Sequence, residues 1–281
     1  MYFYLSQGKN TLALEYVDQP IAIREVRLEG KQEIPAYEDV LKVYEANGYK
    51  KAAAGDGDHI EGEKSAWRSD SIIRRESNND PETVPFSLYN RVLNTVGGGR
   101  WNRGEQSVSW QFMAMEDGLY EIAVKVLQGK TEGMPSYRKV LIDGQVPFKE
   151  FLEYKFPYNK NWYGEVLSDE NGEPYLVYLE AGVHEITLTA QLGPISSVIE
   201  RTTNDISVLS EITRDITKVT GTEPDPNYEY DLYRLMPELS GELEELASSI
   251  EICADILASI TNKTTSAENN YRTIIATLRN F

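Results

Sequence analysis

The spacing of apolar residues changes once along the chain, near Pro194, and this change restricts the possible architectures most. Before Pro194, apolar and polar residues alternate, as Val108, Trp110 and Phe112 do with their neighbours, and this period of two predicts half-buried strands. After Pro194, apolar residues recur in steps of three and four, which predicts amphipathic helices. The sequence therefore predicts an α+β protein with a mainly β core, an antiparallel β-sandwich followed by an antiparallel α-helical bundle.

Three apolar stripes predict the helices after Pro194. The longest stripe has the a/d pattern of packed helices and contains Leu239, Leu243, Leu246, Ile250, Cys253, Leu257 and Ile260. The other two contain Ile206, Leu209, Ile212, Ile216 and Val219, and then Tyr271, Ile274, Ile275, Leu278 and Phe281. We interpret the stripes as a bundle that packs on itself, with a coil dedicated to a partner as the alternative.

An internal repeat bears on the N-terminal boundary. Residues 175–195 resemble residues 1–21, and in both copies an apolar stretch turns at a glycine, Gly182 or Gly8, and then alternates, as a hairpin does. A lone hairpin is marginally stable in water. Residues 1–28 are therefore predicted to be the C-terminal hairpin of a truncated preceding β module, and the chain is interpreted as a fragment of a longer protein.

The same patterns predict the other boundaries. Residues 29–58 are predicted to be a linker with one helix, over residues 35–47, that stops at Gly48. Residues 59–197 are predicted to form the sandwich, with a turn at Asp143 and Gly144. Residues 198–281 are predicted to form the bundle, inserted in the sandwich or appended to it.

Two glycine-containing segments lack the pattern of a phosphate-binding loop. Such a loop needs a helix behind its glycines, whereas the three glycines at 97–99 lead into the alternating residues 107–112. The segment 57–65 is one residue out of register with the P-loop pattern, and its Glu63 would place a negative charge beside the phosphates. We interpret residues 97–99 as a loop that leads into a strand of the sandwich.

Composition and charge exclude several classes of function. The chain has 45 acidic and 28 basic residues among 281, a net charge of −17, which repels nucleic acid and anionic membranes. No apolar run approaches the roughly 18 residues that a transmembrane helix needs. Cys253 is the only cysteine and is predicted to be buried and inert. With His59 and His184 as the only histidines, a His/Cys metal cluster or a hydrolytic triad is not supported, so the sequence predicts a protein that is not an enzyme and needs no cofactor.

Five motifs, taken in order, resemble those of a carbohydrate-binding module. They are IEGEKSAW, GGGRWNRGEQSVSWQF, EDGLYEIAVKV, YRKVLIDGQVPF and YLEAGVHEITLTAQLG. The set resembles a galactose-binding-like jelly roll and, more closely, the tandem modules of long extracellular solute-binding lipoproteins of bacterial carbohydrate ABC transporters. The resemblance covers residues 1–281 and is strongest over 86–197. The sequence departs from that family in lacking the last strand after the helices and the solute-binding domain, and the segment QPIAIREVRL is a hypothetical replacement for the missing strand.

The resemblance implies two kinds of site. Related jelly rolls hold a structural calcium ion with acidic side chains of the first strand, which implies Glu61 and Glu63 as metal ligands here. Sugar recognition needs an aromatic ring in a loop. The carbohydrate-binding candidates are Arg100, Trp101, Tyr158 and Trp162. For Trp101, the alternative is a ring that closes one end of the core.

The resemblance also implies a function. It implies a non-catalytic accessory region of an extracellular substrate-binding protein of a carbohydrate ABC transporter, with weak glycan binding as a further expectation. The expected partners are carbohydrate and the solute-binding domain of the full-length protein, which the missing N-terminal part would anchor at the cell surface. Two alternatives stay open: a structural spacer or protein-docking module without a sugar site, and an appended module of a polysaccharide-degrading enzyme.

Overall fold

The computed structural model describes residues 8–12, 33–53, 58–261 and 263–281. In these ranges the chain forms antiparallel sheets that pack as a sandwich and are followed by packed helices, which confirms the predicted α+β architecture. The predicted hairpin at residues 1–28 lies outside the described residues except for 8–12. The hypothesis that QPIAIREVRL completes the sandwich falls wholly outside them.

The strands of the described ranges pair in four antiparallel sheets. In chain order they are β1 (Trp67–Arg68), β2 (Arg75–Glu76), β3 (Thr95–Val96), β4 (Ser107–Ala114), β5 (Gly118–Glu121), β6 (Ala123–Val126), β7 (Ser136–Ile142), β8 (Tyr154–Phe156), β9 (Tyr163–Val166), β10 (Leu176–Leu179) and β11 (Gly182–Gln191). The largest sheet has the order β1-β4-β11-β7-β8, and the others are the pairs β5/β10, β6/β9 and β2/β3. Strands β4 and β11 pair along their length, from Ala114 opposite Gly182 to Ser107 opposite Thr189.

The sandwich core lies between the largest sheet and the pairs β5/β10 and β6/β9. Val140 and Leu188 come from the largest sheet, while Val177 and Leu179 come from β10, and all four belong to one buried cluster. The alternating residues of the sequence pack against this cluster as predicted, including Trp110, Phe112, Tyr120, Ile122, Val124 and Val126. The period of two therefore identified the core-facing side of each strand correctly.

Helix α1 (Tyr37–Ala46) is the one helix predicted within the linker 29–58, and its residues Tyr37 and Val40 pack against the sandwich core. The ring of Tyr37 lies 4.8 Å from that of Phe148, measured between ring centres, and its hydroxyl accepts a hydrogen bond from the N–H of Leu176 at 3.0 Å. The N–H of Tyr37 donates to Oε2 of Glu150 at 2.9 Å. The apolar face of the predicted helix is thus half-buried against the β core, because an unpaired amphipathic helix would leave that face in water.

The bundle is made of α2 (Ile195–Thr220), the single turn α3 (Leu232–Leu235), α4 (Leu239–Ile260) and α5 (Ser266–Arg279). All seven residues of the predicted a/d stripe on α4 are buried, so that prediction is confirmed. On α2 the predicted stripe is correct in its C-terminal half, where Ile212 is buried and Ile216 and Val219 pack against the bundle cluster. It is wrong at Ile206 and Leu209, which are 60% and 41% exposed. The core-facing position beside Ile206 is occupied by the buried polar residue Asp205, which a pattern of apolar residues does not include.

The third predicted stripe, on α5, is correct in part. Ile275 is buried, and Tyr271 and Leu278 pack against the bundle core. Ile274 and Phe281 are exposed by 42% and 56%. They lie at the margin of the apolar face, which is narrower on this terminal helix than the sequence predicts.

The bundle is joined to the sandwich by chain and by packing. Helix α2 begins four residues after β11 ends at Gln191. Met134, in the loop before β7, packs against the bundle cluster that contains Val198 and Cys253, and Glu132 of the same loop forms an ion pair with Lys263. Cys253 is buried, as predicted, and burial raises the pKa of its thiol, which keeps the thiol protonated and unreactive.

Candidate functional site

The three glycines form the turn between β3 and β4. Residues Gly98–Arg100 make one turn of 3-10 helix, and Gly97 has a φ of +93°, which residues with a side chain rarely adopt. A Cβ atom on Gly97 would lie 3.1 Å from the Cβ atom of Trp101. The prediction that these glycines lead into a strand is confirmed, and their local function is to let the chain fold back under the ring of Trp101.

Trp101 faces inward. Its ring packs against the sandwich core, and its Nε1–H donates to the carbonyl oxygen of Gln106 at 2.9 Å. The guanidinium carbon of Arg138 lies 4.6 Å from the ring centre, a cation–π contact, and burial lowers the pKa of Arg138 to about 10. The geometry therefore favours the alternative in which Trp101 closes one end of the core.

Arg100 is exposed and points to a different neighbour. Its Nε lies 3.3 Å from Oε1 of Glu76 on β2. The segment 128–130 neighbours both predicted loops: a Cβ atom on Gly99 would lie 3.5 Å from the end of the Lys130 side chain, and the N–H of Asn159 donates to the carbonyl of Gln128 at 2.9 Å. Among the described residues, no hydrogen bond, ion pair or ring contact joins Arg100 to Tyr158 or Trp162.

Tyr158 and Trp162 lie in the loop between β8 and β9. Both side chains are half-buried. Nε1 of Trp162 is buried without an acceptor among the described residues, so the polar edge of the indole faces the interior. This loop presents less aromatic surface to solvent than the sequence predicts.

A third loop, which the sequence analysis missed, presents an aromatic ring to solvent. Tyr89 is 95% exposed and stands beside a hollow of about 370 Å³ in residues 77–91. The polar residues around the hollow are Ser77, Asn79, Ser87, Asn90 and Arg91. An exposed ring beside amides, hydroxyls and a guanidinium is the combination that recognises a sugar, which offers an apolar face and many hydroxyl groups.

A buried polar network supports this loop. The side-chain nitrogen Nδ2 of Asn94, 6% exposed, has three acceptors for its two N–H groups: the carbonyl oxygens of Asn78 (2.8 Å) and Pro85 (2.9 Å) and Oγ1 of Thr83 (2.8 Å). Its own Oδ1 accepts from the N–H of Asn78 at 2.8 Å. The hydroxyl of Thr83 donates in turn to the carbonyl of Asp80 at 2.6 Å. The base of the loop is therefore fixed by satisfied buried hydrogen bonds, which hold its shape.

The sequence held a weak signal for this loop. The run SNNDPETVPFSLYNR is rich in Asn, Asp, Ser and Pro, which predicts turns, and it contains a tyrosine and an arginine. Turn-rich segments carry binding residues more often than strands do. The predicted sugar contacts lie beside the glycines at 97–99 and in the segment 156–164, and Tyr89 belongs to neither.

The two predicted calcium ligands differ in their surroundings. Glu63, in the 3-10 turn Gly62–Lys64, is 8% exposed, and its Oε2 has no hydrogen-bond donor among the described residues. Oε1 of Glu61 lies 3.3 Å from Nε2 of His59. In the described ranges, no three His, Cys, Asp or Glu side chains come together as a metal site would require. The unpaired oxygen of Glu63 fits a cation, and the remaining ligands of a calcium ion would have to be backbone and water oxygens.

His184 takes part in an ion pair on the face of β11. Nδ1 lies 2.7 Å from Oδ2 of Asp143, and Nε2 lies 2.7 Å from the carbonyl oxygen of Glu180. Burial lowers the pKa of His184, but these two hydrogen bonds outweigh burial and the pKa is raised overall. Both ring nitrogens are therefore engaged in structural contacts.

The family comparison concerns the helices. Residues 197–281 match the family model described as "Bacterial solute-binding protein, 4-helix bundle domain", and in the structure this segment holds α2, α3, α4 and α5 except for the first two residues of α2. The predicted resemblance is confirmed as one to a carbohydrate-binding-module-like region of a solute-binding protein. No match was found among curated proteins. None of the helices in the described ranges has the length and apolar character of a membrane span.

Solved structures with some likeness to this chain include carbohydrate-binding modules. A cycloisomaltooligosaccharide glucanotransferase from Paenibacillus sp. is 19% identical, with a TM-score of 0.36, over 57% of this chain and 21% of that one. A family 35 carbohydrate-binding module from Clostridium thermocellum is 16% identical, with a TM-score of 0.26, over 32% of this chain and 62% of that one. A family 35 module from Cellvibrio japonicus is 16% identical, with a TM-score of 0.27, over 49% of this chain and 78% of that one. The chain thus spans about a fifth of the glucanotransferase and less than two thirds of the Clostridium module.

Proposed function

We propose that the chain is a non-catalytic accessory region of an extracellular substrate-binding protein of a carbohydrate ABC transporter, and that its sandwich binds glycans weakly. The observation that carries the proposal is the exposed ring of Tyr89 on a loop held by the Asn94 network. A large ring that packs on nothing costs free energy in water, whereas a ring that stacks on a sugar recovers it.

The hollow beside Tyr89 provides the polar groups that would bind the hydroxyl groups of a sugar. Asn79, Asn90 and Arg91 line it, and their amide and guanidinium groups can donate to sugar hydroxyl and carboxylate oxygens. The surface is open, so water competes for each hydrogen bond and one stacked ring supplies little free energy. The expected dissociation constant is on the order of 0.1–1 mM.

A glycan titration tests the proposal. We expect saturable calorimetric or chemical-shift changes with at least one member of a broad oligosaccharide panel. Tyr89→Ala should weaken that binding about tenfold, because an aromatic contact contributes about 1 kcal/mol or slightly more. Tyr233→Ala is the matched control, since Tyr233 is 48% exposed on the short helix α3 of the bundle.

The same panel distinguishes the predicted sites from the loop at 77–91. If Trp162→Ala abolishes binding and Tyr89→Ala does not, the sugar binds at the loop between β8 and β9, as the sequence predicts. If no glycan binds to the unaltered chain, the sugar site is wrong and the spacer function takes its place.

The spacer is the second candidate because of the junction between sandwich and bundle. Met134 of the sandwich packs into the bundle cluster, and Glu132 pairs with Lys263 across the junction. Such contacts hold the two parts in one orientation, as a spacer or docking module needs.

We also propose that Glu63 binds calcium, as the family resemblance implies. Oε2 of Glu63 is buried without a hydrogen-bond donor among the described residues, and a calcium ion would be its partner. Backbone and water oxygens would supply the other ligands of the ion. Millimolar calcium should then raise the melting temperature of the unaltered chain and not that of Glu63→Gln. Equal shifts in the two proteins, or none in either, would assign Glu63 a purely structural position.

A further inference from the structure

Helices α2 and α4 leave a groove of about 370 Å³ between them, on the bundle and away from the sandwich loops. Its polar lining is almost entirely anionic and consists of Asp205, Glu211, Asp215, Glu242, Glu245 and Ser249, together with Asn204. Among the described residues that line it, none is a lysine, arginine or histidine. A chain with a net charge of −17 already repels anions, and this groove concentrates that negative charge in one concave surface.

Asp205 is the most unusual member of the lining. It stands seven residues from Val198 and seven from Ile212, in the buried stripe of α2, and is itself only 6% exposed. Its Oδ1 accepts from Oγ of Ser249 on α4 at 2.8 Å, whereas its Oδ2 is buried without a donor among the described residues. Burying a carboxylate oxygen without a donor costs free energy. A cationic ligand in the groove would remove this cost.

The arrangement of the other carboxylates restricts the kind of cation. No three acidic side chains of the described chain converge as ligands of one metal ion. Along α4, the carboxylates of Glu242 and Glu245 instead lie on successive turns, with about 4.5 Å of helix rise between the two residues, and Ser249 follows on the next turn. Asp215 pairs with Lys218 and Glu211 pairs with Arg214, both on α2, which leaves Asp205, Glu242 and Glu245 as the charges available to a ligand.

We propose that this groove binds a linear polyamine, a chain of ammonium groups separated by a few methylene groups. One terminal ammonium pairs with the carboxylate of Asp205, which lines the groove, and the following ammonium groups donate to the carboxylates of Glu245 and Glu242. The methylene groups lie over Val208, Ile212 and Leu246, the apolar residues of the lining. The inference is independent of the glycan site, because no residue of the sandwich takes part.

Spermidine is the probe, added to the full chain at constant ionic strength so that general screening of the net charge does not change. We expect saturable calorimetric binding and a rise in the melting temperature. Asp205→Asn keeps the shape and an acceptor for Ser249 but removes the charge, and should weaken binding about tenfold, since hydrogen bonds to charged groups are the stronger ones. Glu245→Gln, at an exposed position, should weaken it by a smaller factor without affecting folding.

Glu200→Gln is the matched control, because Glu200 is exposed on α2, does not line the groove, and its loss changes the net charge equally. Binding in this variant should equal that of the unaltered chain. The proposal is overturned if spermidine does not saturate, or if all three variants weaken binding equally, which would indicate general attraction. It is also overturned if magnesium ions bind as tightly and with the same dependence on Asp205, which would indicate a metal site. If Asp205→Asn does not fold, the comparison of Glu245→Gln with Glu200→Gln tests the proposal, because only Glu245→Gln should weaken spermidine binding.

Discussion

The loop at 97–103 packs its aromatic ring on the core, whereas the loop at 77–91 exposes its aromatic ring to solvent. In the first, glycines let the chain fold back so that Trp101 packs on the core and donates to Gln106. In the second, buried Asn94 holds the base of the loop and leaves the ring of Tyr89 in solvent. The comparison teaches that an aromatic ring in a loop is free to bind a ligand only when other residues stabilise the loop, as Asn94 does at 77–91. In the loop at 97–103, the ring of Trp101 itself stabilises the loop by packing on the core.

Replacing the two rings should therefore have different consequences, and the largest expected effect is on Trp101. Trp101→Ala removes a ring packed against the core, one of the two donors to the carbonyl of Gln106, and the cation–π contact of Arg138. We expect the free energy of unfolding to fall by about 2–4 kcal/mol, toward the lower end of the range for large aromatic truncations because the ring is half-buried. Equilibrium denaturation measures it.

Trp67→Ala provides the control for this prediction, since Trp67 is 54% exposed on the edge strand β1. Its replacement should change stability by less than about 1 kcal/mol. The assignment would be contradicted if Trp101→Ala left stability unchanged and removed glycan binding. Trp101, and not Tyr89, would then be the sugar-binding ring.

The second prediction concerns what holds the other loop. Asn94→Ala removes the acceptor Oδ1 and both N–H donors of Nδ2 from a buried site in which Nδ2 has three acceptors within reach. Because buried groups left without partners cost free energy, we expect a loss of about 1–3 kcal/mol. We also expect faster amide hydrogen exchange in residues 77–91 and weaker glycan binding, although Asn94 does not line the hollow. Asn90→Ala, exposed in the same loop, should leave both stability and exchange within error, and an equal effect of the two variants would contradict the importance of the network.

Most of the fold could be predicted from the sequence because the hydrophobic pattern is local information. Alternation identified the core-facing residues of the strands, and the heptad identified α4, since both depend on residues a few positions apart. The pattern failed where a polar residue occupies a core position, as Asp205 does on α2. The pattern predicted helix α1 and its apolar face, but not its partners Glu150 and Leu176, which are more than 100 positions away.

The candidate site was less predictable for a physical reason. Trp101, Trp162 and Tyr89 are all aromatic residues in turn-rich segments, and whether each ring faces water depends on long-range packing. Trp101 turns inward because Arg138 and the core meet it there. Glu63 was identified by resemblance, but its burial and the unpaired Oε2 are visible only in three dimensions.

The smallest expected effect is a pH dependence that leaves both loops unchanged, because it arises on β11. The pKa of His184 is raised, since its hydrogen bonds to Asp143 and Glu180 outweigh the effect of burial. The folded state then binds the proton more tightly than the unfolded state, so this contribution is fully present below the ordinary pKa of about 6.5 and is lost as the pH rises through the higher folded-state value. Stability measured by denaturation should decline between about pH 6 and pH 8, and both His184→Gln and Asp143→Asn should flatten the decline. A decline that persisted in both variants would place the titrating group elsewhere. We expect glycan binding at the loop 77–91 to be independent of this titration. If glycan affinity changed with pH in the same way as stability, protonation of His184 on β11 would be coupled to the loop.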